Sequence, residues 1–450
     1  MFSRLFSLFS TPAPTPPPAD VHIVPCTGMD LSSRRFVVTT GFIIDARLDP
    51  KKLEASLLML VERKFPRAGA RLAHRNGVYE FHIPHAFDAR TPAVAFTAED
   101  HPEPYASPAR PWIEHLCDSS AREPWICDLV ALDPYLRSDS CPKTLEAFLV
   151  PNTPLVHVHV TVFDDLTFVG VTSSHIVLDA VHWRGWFKLG VFSTFSFIVR
   201  FMLRIWRDPE EVGKFVRMPK VFLEERKRLI TEELQAEGSS EWVSSSDVLL
   251  AWWFKTSYSH RTDSAPLHIH LPIDLRDKRI FPGPSGTGAI STPYINNAVS
   301  GIPIPPIPVN AFKTASLRDL ALRFRRSIKA YNADLPGIAA DVRWRCANPL
   351  AALFPCPPGA EYLVATNWRA ARFGALDFSG AIATAEGEGE KQKRKARVLF
   401  LVPMATSGKK RPMRGSGAVL MEDENTIWMS QIRGAKDWEV VRKAGGVQFL

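Results

Sequence analysis

The stretch from Val156 to Asp179 restricts the fold more than any other part of this 450-residue chain. Val156-His157-Val158-His159-Val160-Thr161-Val162-Phe163 alternates with the period of a β-strand, which puts its two histidines on one face. Asp164-Asp165 supplies a turn, and Phe168 to Thr172 reads as a second strand, antiparallel to the first. The apolar run ends in Ser173-Ser174 and then presents His175, with Asp179 four residues on. A histidine at the rim of a buried strand is a candidate general base, because its ordinary pKa lets it take and return a proton near neutral pH. If the chain turns helical, Asp179 shares a face with His175 and can touch the imidazole. If the turn is tight, the carboxylate points back into the protein and braces the loop. A packed strand-end histidine beside a solvated Asp is the plain alternative, and the spacing alone does not decide.

Length favours two domains, or one domain of two lobes. With 46% hydrophobic and 23% charged residues the composition is that of a globular protein. The net charge of +8 is concentrated in Glu390 to Arg397 and Lys409 to Arg414. Such runs read as solvated loops or as an attraction for an anionic cosubstrate. No zinc-finger or RNA-recognition signature accompanies them, so nucleic acid is not an expected partner. Six cysteines without a Cys-x-x-Cys pair argue against structural zinc and a disulfide framework, and the expected compartment is the cytoplasm. Residues 1–19, apolar but interrupted and then proline-rich, read as a disordered tail, with weak membrane-surface affinity as the lesser reading. The apolar run from Leu189 stops at Arg200, too short for a membrane span, so stable insertion is not expected.

An N-terminal lobe is expected over 20–207. Val21 to Pro25 and Arg35 to Ile44 read as strands; Asp49-Pro50 opens a helix carrying Leu53, Leu57, Leu60 and Val61 on one face. A hairpin follows from Ala70 to Ile83, and Pro102 to Pro142 reads as an irregular surface excursion. A helix is expected from about Leu178; the aromatics from Trp183 to Trp206 suit either core packing or an apolar acceptor channel. The polar residues 208–219 read as a linker. The C-terminal lobe, 220–450, has a charged helix from Leu223, a loop from Phe281 to Gly288 and an expected disordered insertion at 385–397. Ser244 caps an apolar helix containing Trp252-Trp253, and Ser316 with Asp319 opens another.

Taken in order, these pieces resemble the BAHD-type acyl-CoA-dependent acyltransferases, in particular the fungal trichothecene-acetyltransferase-like branch, over residues 21–430. His175-Ile176-Val177-Leu178-Asp179 matches the family's His-x-x-x-Asp. Ile273-Asp274-Leu275-Arg276 matches its Val-Asp-x-Arg segment, Ser244 to Lys255 its Ser/Thr-rich helix start, and Asp377-Phe378 the beginning of its Asp-Phe-Gly-Trp-Gly loop. Ser379-Gly380-Ala381 departs from that loop, and Ala180 stands where the family has Gly.

The resemblance implies an α/β fold of two chloramphenicol-acetyltransferase-like lobes, each a mixed sheet with flanking helices, with a channel between them. It implies acyl-CoA as cosubstrate, no bound cofactor or metal, a small-molecule alcohol or amine acceptor, and a monomer. His175 would be the base, Asp179 would turn away to pair with Arg276, and Asn367 and Trp368 would be oxyanion or channel candidates. Ser244, Ser245 and Asp377 would lie on the cosubstrate side. Three rivals stand beside this reading. A metal-dependent hydrolase would use His157, His159, His175 and Asp179. A carrier-linked condensing domain shares the fold but usually has a doubled His. A catalytically dead binding protein is suggested by the altered Asp-Phe-Ser-Gly loop.

Overall fold

Alternation and turn chemistry place the hairpin where the sequence puts it. The computed structural model describes residues 20–31, 34, 36–107, 112, 122–128, 132–177, 187–278, 280, 298–348, 351, 354–383, 395–406 and 413–450. Its strands are β1 (Val21–Pro25), β2 (Val37–Ile44), β3 (Arg71–Arg75), β4 (Val78–Pro84), β5 (Ala95–Asp100), β6 (Trp125–Asp128), β7 (Val156–Val162) and β8 (Thr167–Ser174). The second half adds β9 (Glu211–Pro219), β10 (Pro266–Asp274), β11 (Val299–Pro308), β12 (Glu361–Asn367), β13 (Val398–Thr406), β14 (Ser416–Glu422), β15 (Thr426–Gly434) and β16 (Gln448–Phe449). β7 and β8 pair antiparallel, Val162 opposite Thr167, and Asp165 anchors the turn by accepting from the Tyr105 and Ala106 N–H groups.

Among the described residues the strands form three sheets: β1-β4-β3, the five-stranded β13-β2-β8-β7-β5, and the eight-stranded β11-β10-β12-β14-β15-β9-β6-β16. The mixed α/β character agrees with the expected fold class. In the five-stranded sheet Gly41 and Gly170 are paired, and a Cβ on Gly170 would stand 1.9 Å from the Leu136 carbonyl oxygen. Only glycine allows the Asp133–Leu136 turn to lie so close to these strands.

Chain order and sheet membership part company. β13, near residue 400, pairs antiparallel with β2, whereas β6 and β9, from the first half, lie in the large sheet. Residues 211–219, expected as part of a linker, are therefore a strand. Their charges misled because they are buried with partners: Lys214 pairs with Asp128, and the Arg217 guanidinium lies 5.9 Å from the Trp125 ring centre. Pro102 to Pro142 is likewise no surface excursion throughout, since Tyr105, Trp125, Ile126 and Leu136 are core residues and Trp125–Asp128 is a strand. The two large sheets share an apolar core in which Phe400 of β13 packs edge-on against Phe215 and Trp428, at 4.6 and 4.9 Å.

The Pro50–Lys64 helix forms as expected, Asp49 accepting from the Lys51 N–H, but Leu60 is exposed rather than on the buried face. The hairpin turns at Asn76-Gly77, both with positive φ, and the Ser245–Tyr258 and Leu317–Ala333 helices carry their serine caps. Of the expected disordered insertion, the last residues are ordered: Ala396 is buried and the Arg397 N–H donates to Asp45. Arg414, expected in a solvated basic run, is buried against Asp208 and Glu211. The tail 1–19, the loop 281–288, residues 385–394 of the insertion, and the segment holding Asp179, Ala180, Trp183 and Trp186 lie outside the described residues. The Val191–Arg207 helix has no fully buried residue, and most of its large apolar side chains are exposed.

Candidate active site

His175 follows directly on β8. Its backbone N–H donates to the Phe36 carbonyl at 2.9 Å, tying it to the chain that enters β2. Ser174, Ile176 and Val177 are all buried, the last two in a cluster with Val37, Leu72 and Phe81. The Val177 N–H closes a turn on the Ser174 carbonyl at 3.1 Å. Between these anchors His175 is half-buried. Apolar neighbours fix the loop by burial, and the imidazole is left at a partly open strand end.

Behind it runs a polar seam on one face of the sheet. The Thr39 and Thr172 hydroxyls hydrogen-bond at 2.7 Å, and Thr172 stands opposite His157. His157 meets the Phe148 ring edge-on, and burial pushes its pKa down to about 4, so it is neutral at pH 7. His159 contacts the Thr97 hydroxyl at 2.8 Å and the Thr161 hydroxyl at 3.3 Å, and burial lowers its pKa as well. The two histidines share a face as expected, yet each is held by its own neighbours. Among the described residues no group of three or more His, Cys, Asp or Glu is placed to hold a metal ion.

Arg276 opens a single 3-10 turn after β10 and is half-buried. Its guanidinium donates to Asp274 at 2.9 Å, and the same carboxylate oxygen accepts the Arg276 N–H at 3.0 Å. Asp179 is outside the described residues, so its role stays an expectation.

The other candidates fall into two groups. Ser244 and Asp247 form a reciprocal cap: Ser244 N–H donates to the carboxylate at 2.7 Å, and Ser244 Oγ accepts from Asp247 N–H at 3.3 Å. Asp247 is fully buried and paired with Arg325, whose guanidinium lies over Trp242 at 4.1 Å. Ser245 donates to Glu224 at 2.6 Å, which holds that carboxyl below its usual range. The end of β12 comes to this helix start, because Arg369 donates to Ser246 Oγ at 3.0 Å while pairing with Glu422. Asn367 is exposed, and its side-chain oxygen accepts the Arg369 N–H at 3.1 Å. Trp368 packs at a steep angle on Phe373, which in turn meets Phe42 of the five-stranded sheet. Sequence reasoning passed over Arg325 and Arg369, since an arginine's partner across 50 or more residues leaves no local signal.

Asp377 stands apart from that cluster. Its carboxylate accepts the Ser379 N–H at 2.9 Å, and the Ser379 bonds hold its carboxyl below the usual range. Ser379 Oγ also accepts the Ala396 N–H at 3.0 Å. The serine that departs from the expected Gly thus fastens this loop to the approach of β13. The next residues bond to the other half of the chain, Asp49 N–H to Ala381 O at 2.7 Å and Ala383 N–H to Arg47 O at 3.1 Å.

No family model matches the chain. It is 27% identical, over 85% of its length and 86% of the relative's, to acetyltransferase adrJ of Penicillium roqueforti. It is also 26% identical to a Penicillium decumbens protein named transcriptional regulator calD, over 59% of this chain and 63% of that one. Its fold matches the crystal structure of F. graminearum TRI101 complexed with ethyl coenzyme A, with a TM-score of 0.63 at 11% identity, covering 94% of this chain and 97% of the other. The chain is thus similar in sequence to fungal acetyltransferases over most of its length, and it shares the fold of the trichothecene-acetyltransferase-like structures.

Proposed function

We propose that this protein transfers an acyl group, acetyl in the first instance, from acyl-CoA to a hydroxyl or amine of a small hydrophobic secondary metabolite, with His175 as general base. The observation that carries the reading is the likeness to an acetyltransferase over 85% of the chain, combined with a half-buried histidine pinned at the end of β8. The acceptor's oxygen or nitrogen bonds to the thioester carbonyl carbon as its proton passes to the imidazole. The carbon–sulfur bond then breaks, and the proton returns to the departing thiolate, so that the products are the acylated acceptor and free CoA.

Asp179 pairs with Arg276 in this reading and holds the loop, leaving the imidazole to the substrate. Donors for the tetrahedral oxyanion come from the β12 end, Asn367 foremost, since its amide is exposed while Trp368 is engaged in packing. Cosubstrate binding lies toward Ser244 and Ser245, beside the Arg369 charge, and toward the separate Asp377 loop. The protein acts as a monomer in the cytoplasm.

Melting the purified protein with acetyl-CoA, longer acyl-CoAs and free CoA tests the donor class. A ligand at about 100 times its dissociation constant adds about 2.7 kcal/mol to the native state, so a raised melting temperature that depends on the acyl chain is expected. His175→Ala should keep that shift and lose about 10²- to 10⁴-fold in transfer rate. No shift with any CoA would overturn the reading in favour of a non-catalytic role, the one consistent with the relative named as a regulator.

A further inference from the structure

The Val191–Arg207 helix is fastened to the body by one side only. Phe197 packs on Phe354 at 5.0 Å and on Phe201 at 5.9 Å, Arg204 pairs with Glu361 and Asp437 at 3.7 Å each, and Lys436 Nζ donates to the Arg207 carbonyl at 2.6 Å. The opposite side is apolar and open. Val191, Phe192, Phe195 and Trp206 are 84, 91, 68 and 77% exposed, and Ile198 and Met202 lie exposed between them. At 3.6 residues per turn these side chains occupy one arc about 120° wide along a rod about 25 Å long. A contiguous apolar face of this kind on a globular surface marks an interaction site.

Charge indicates what covers it. From Ala180 to Arg207 the sequence contains Arg184, Lys188, Arg200, Arg204 and Arg207, and no Asp or Glu. Lys188, Arg200 and Arg207 are exposed, and the two arginines border the apolar arc on one side. An apolar face with large aromatics and a purely cationic margin is the pattern of a helix lying flat in a bilayer interface, with the face buried about 5–10 Å and the cations at the headgroups. Two copies of the helix face to face would set cations against cations. An anionic lipid surface instead neutralises them.

We infer that the Val191–Arg207 helix seats this protein on an anionic membrane surface, without spanning it. Among the described residues no helix is long and apolar enough to cross a membrane, and this one is interrupted by three arginines. The inference is independent of the acyl-transfer reading.

Co-sedimentation of the full chain with phosphatidylcholine vesicles, with and without phosphatidylserine, tests it. Partition onto the serine-containing vesicles is expected, weakening as salt is raised. The triple variant Phe192→Ser, Phe195→Ser, Trp206→Ser should lower partition by about a hundredfold or more. Arg200→Glu with Arg207→Glu should lower it by about tenfold or more at low salt. Both variants should melt like the wild type, since none of these side chains is buried. Absence of partition on either vesicle, or equal partition of the triple variant, overturns the inference. So does a dimer in light scattering that the triple variant abolishes, which would assign the face to a second copy.

Discussion

The seam behind His175 and the Val191–Arg207 helix invert the usual distribution of side chains in opposite senses. On β2, β7 and β8 the hydroxyls of Thr39, Thr172 and Ser174 and the His159 ring are taken from water. On the helix, aromatic rings are left in it. The seam is largely compensated within the fold, Thr39 against Thr172 and His159 against Thr97 and Thr161, because a buried polar group without a partner is costly. The helix face is compensated by nothing described in the fold, so its apolar side chains are of no use to stability. Burial of polar groups here holds the His175 loop, the one proposed as catalytic, in position; exposure of apolar ones suits the proposed encounter with a surface.

That contrast can be broken by three measurements. The largest effect should come from pH. His157 is held neutral in the fold, with its pKa at about 4, whereas in the unfolded chain it takes a proton near 6.5. The unfolded state therefore binds the extra proton between these values, and stability is full above pH 6.5 and falls as the pH drops toward 4. His157 alone should account for about 3 kcal/mol of that loss, read in urea titrations as the smaller slope of His157→Gln. His270, buried with its pKa also near 4, adds to the wild-type slope and remains in the variant.

A smaller loss, about 1–3 kcal/mol, is expected for Thr172→Val, which leaves the Thr39 hydroxyl buried without its partner. The double variant Thr39→Val, Thr172→Val should recover most of it, and a cycle of urea melts would show the coupling. If the double variant is as unstable as the sum of the singles, the seam is not a paired network. The smallest effect should be Phe195→Ser on the helix, within about 0.5 kcal/mol of wild type. A substantial loss there would mean that the face is covered in the folded monomer, and the two regions would no longer differ in kind.

Legibility followed the range of the interactions. The β7–β8 hairpin, the Asp49, Ser244 and Ser316 caps and the Asn76-Gly77 turn are set by neighbours in sequence, and all were readable. The location of His175 at a strand end was readable for the same reason. β9 was not, because Lys214 and Arg217 look like solvent-facing charges until Asp128 and Trp125 are brought to them. Nor was the orientation of the Val191–Arg207 helix. Its apolar residues ring more than one side, and the choice of Phe197 and Phe201 as the inward pair is made by Phe354, 150 residues away. Arg369 joins Ser246 across a similar separation, so the neighbourhood of β12 and the Ser245–Tyr258 helix could not be read.

The placement of β13 bears on how the chain is made. β2 and β8 leave the ribosome early, but the strand that covers β2 begins at Val398. At about 5–20 residues per second, roughly 10–45 s separate the completion of β8 from the arrival of its sheet's last member. Throughout that interval β2 is an open edge, with unpaired N–H and C=O groups available to other nascent chains. A message truncated between β8 and residue 398 therefore yields not a smaller working lobe but a chain whose β2 edge is exposed, a substrate for chaperones or for aggregation.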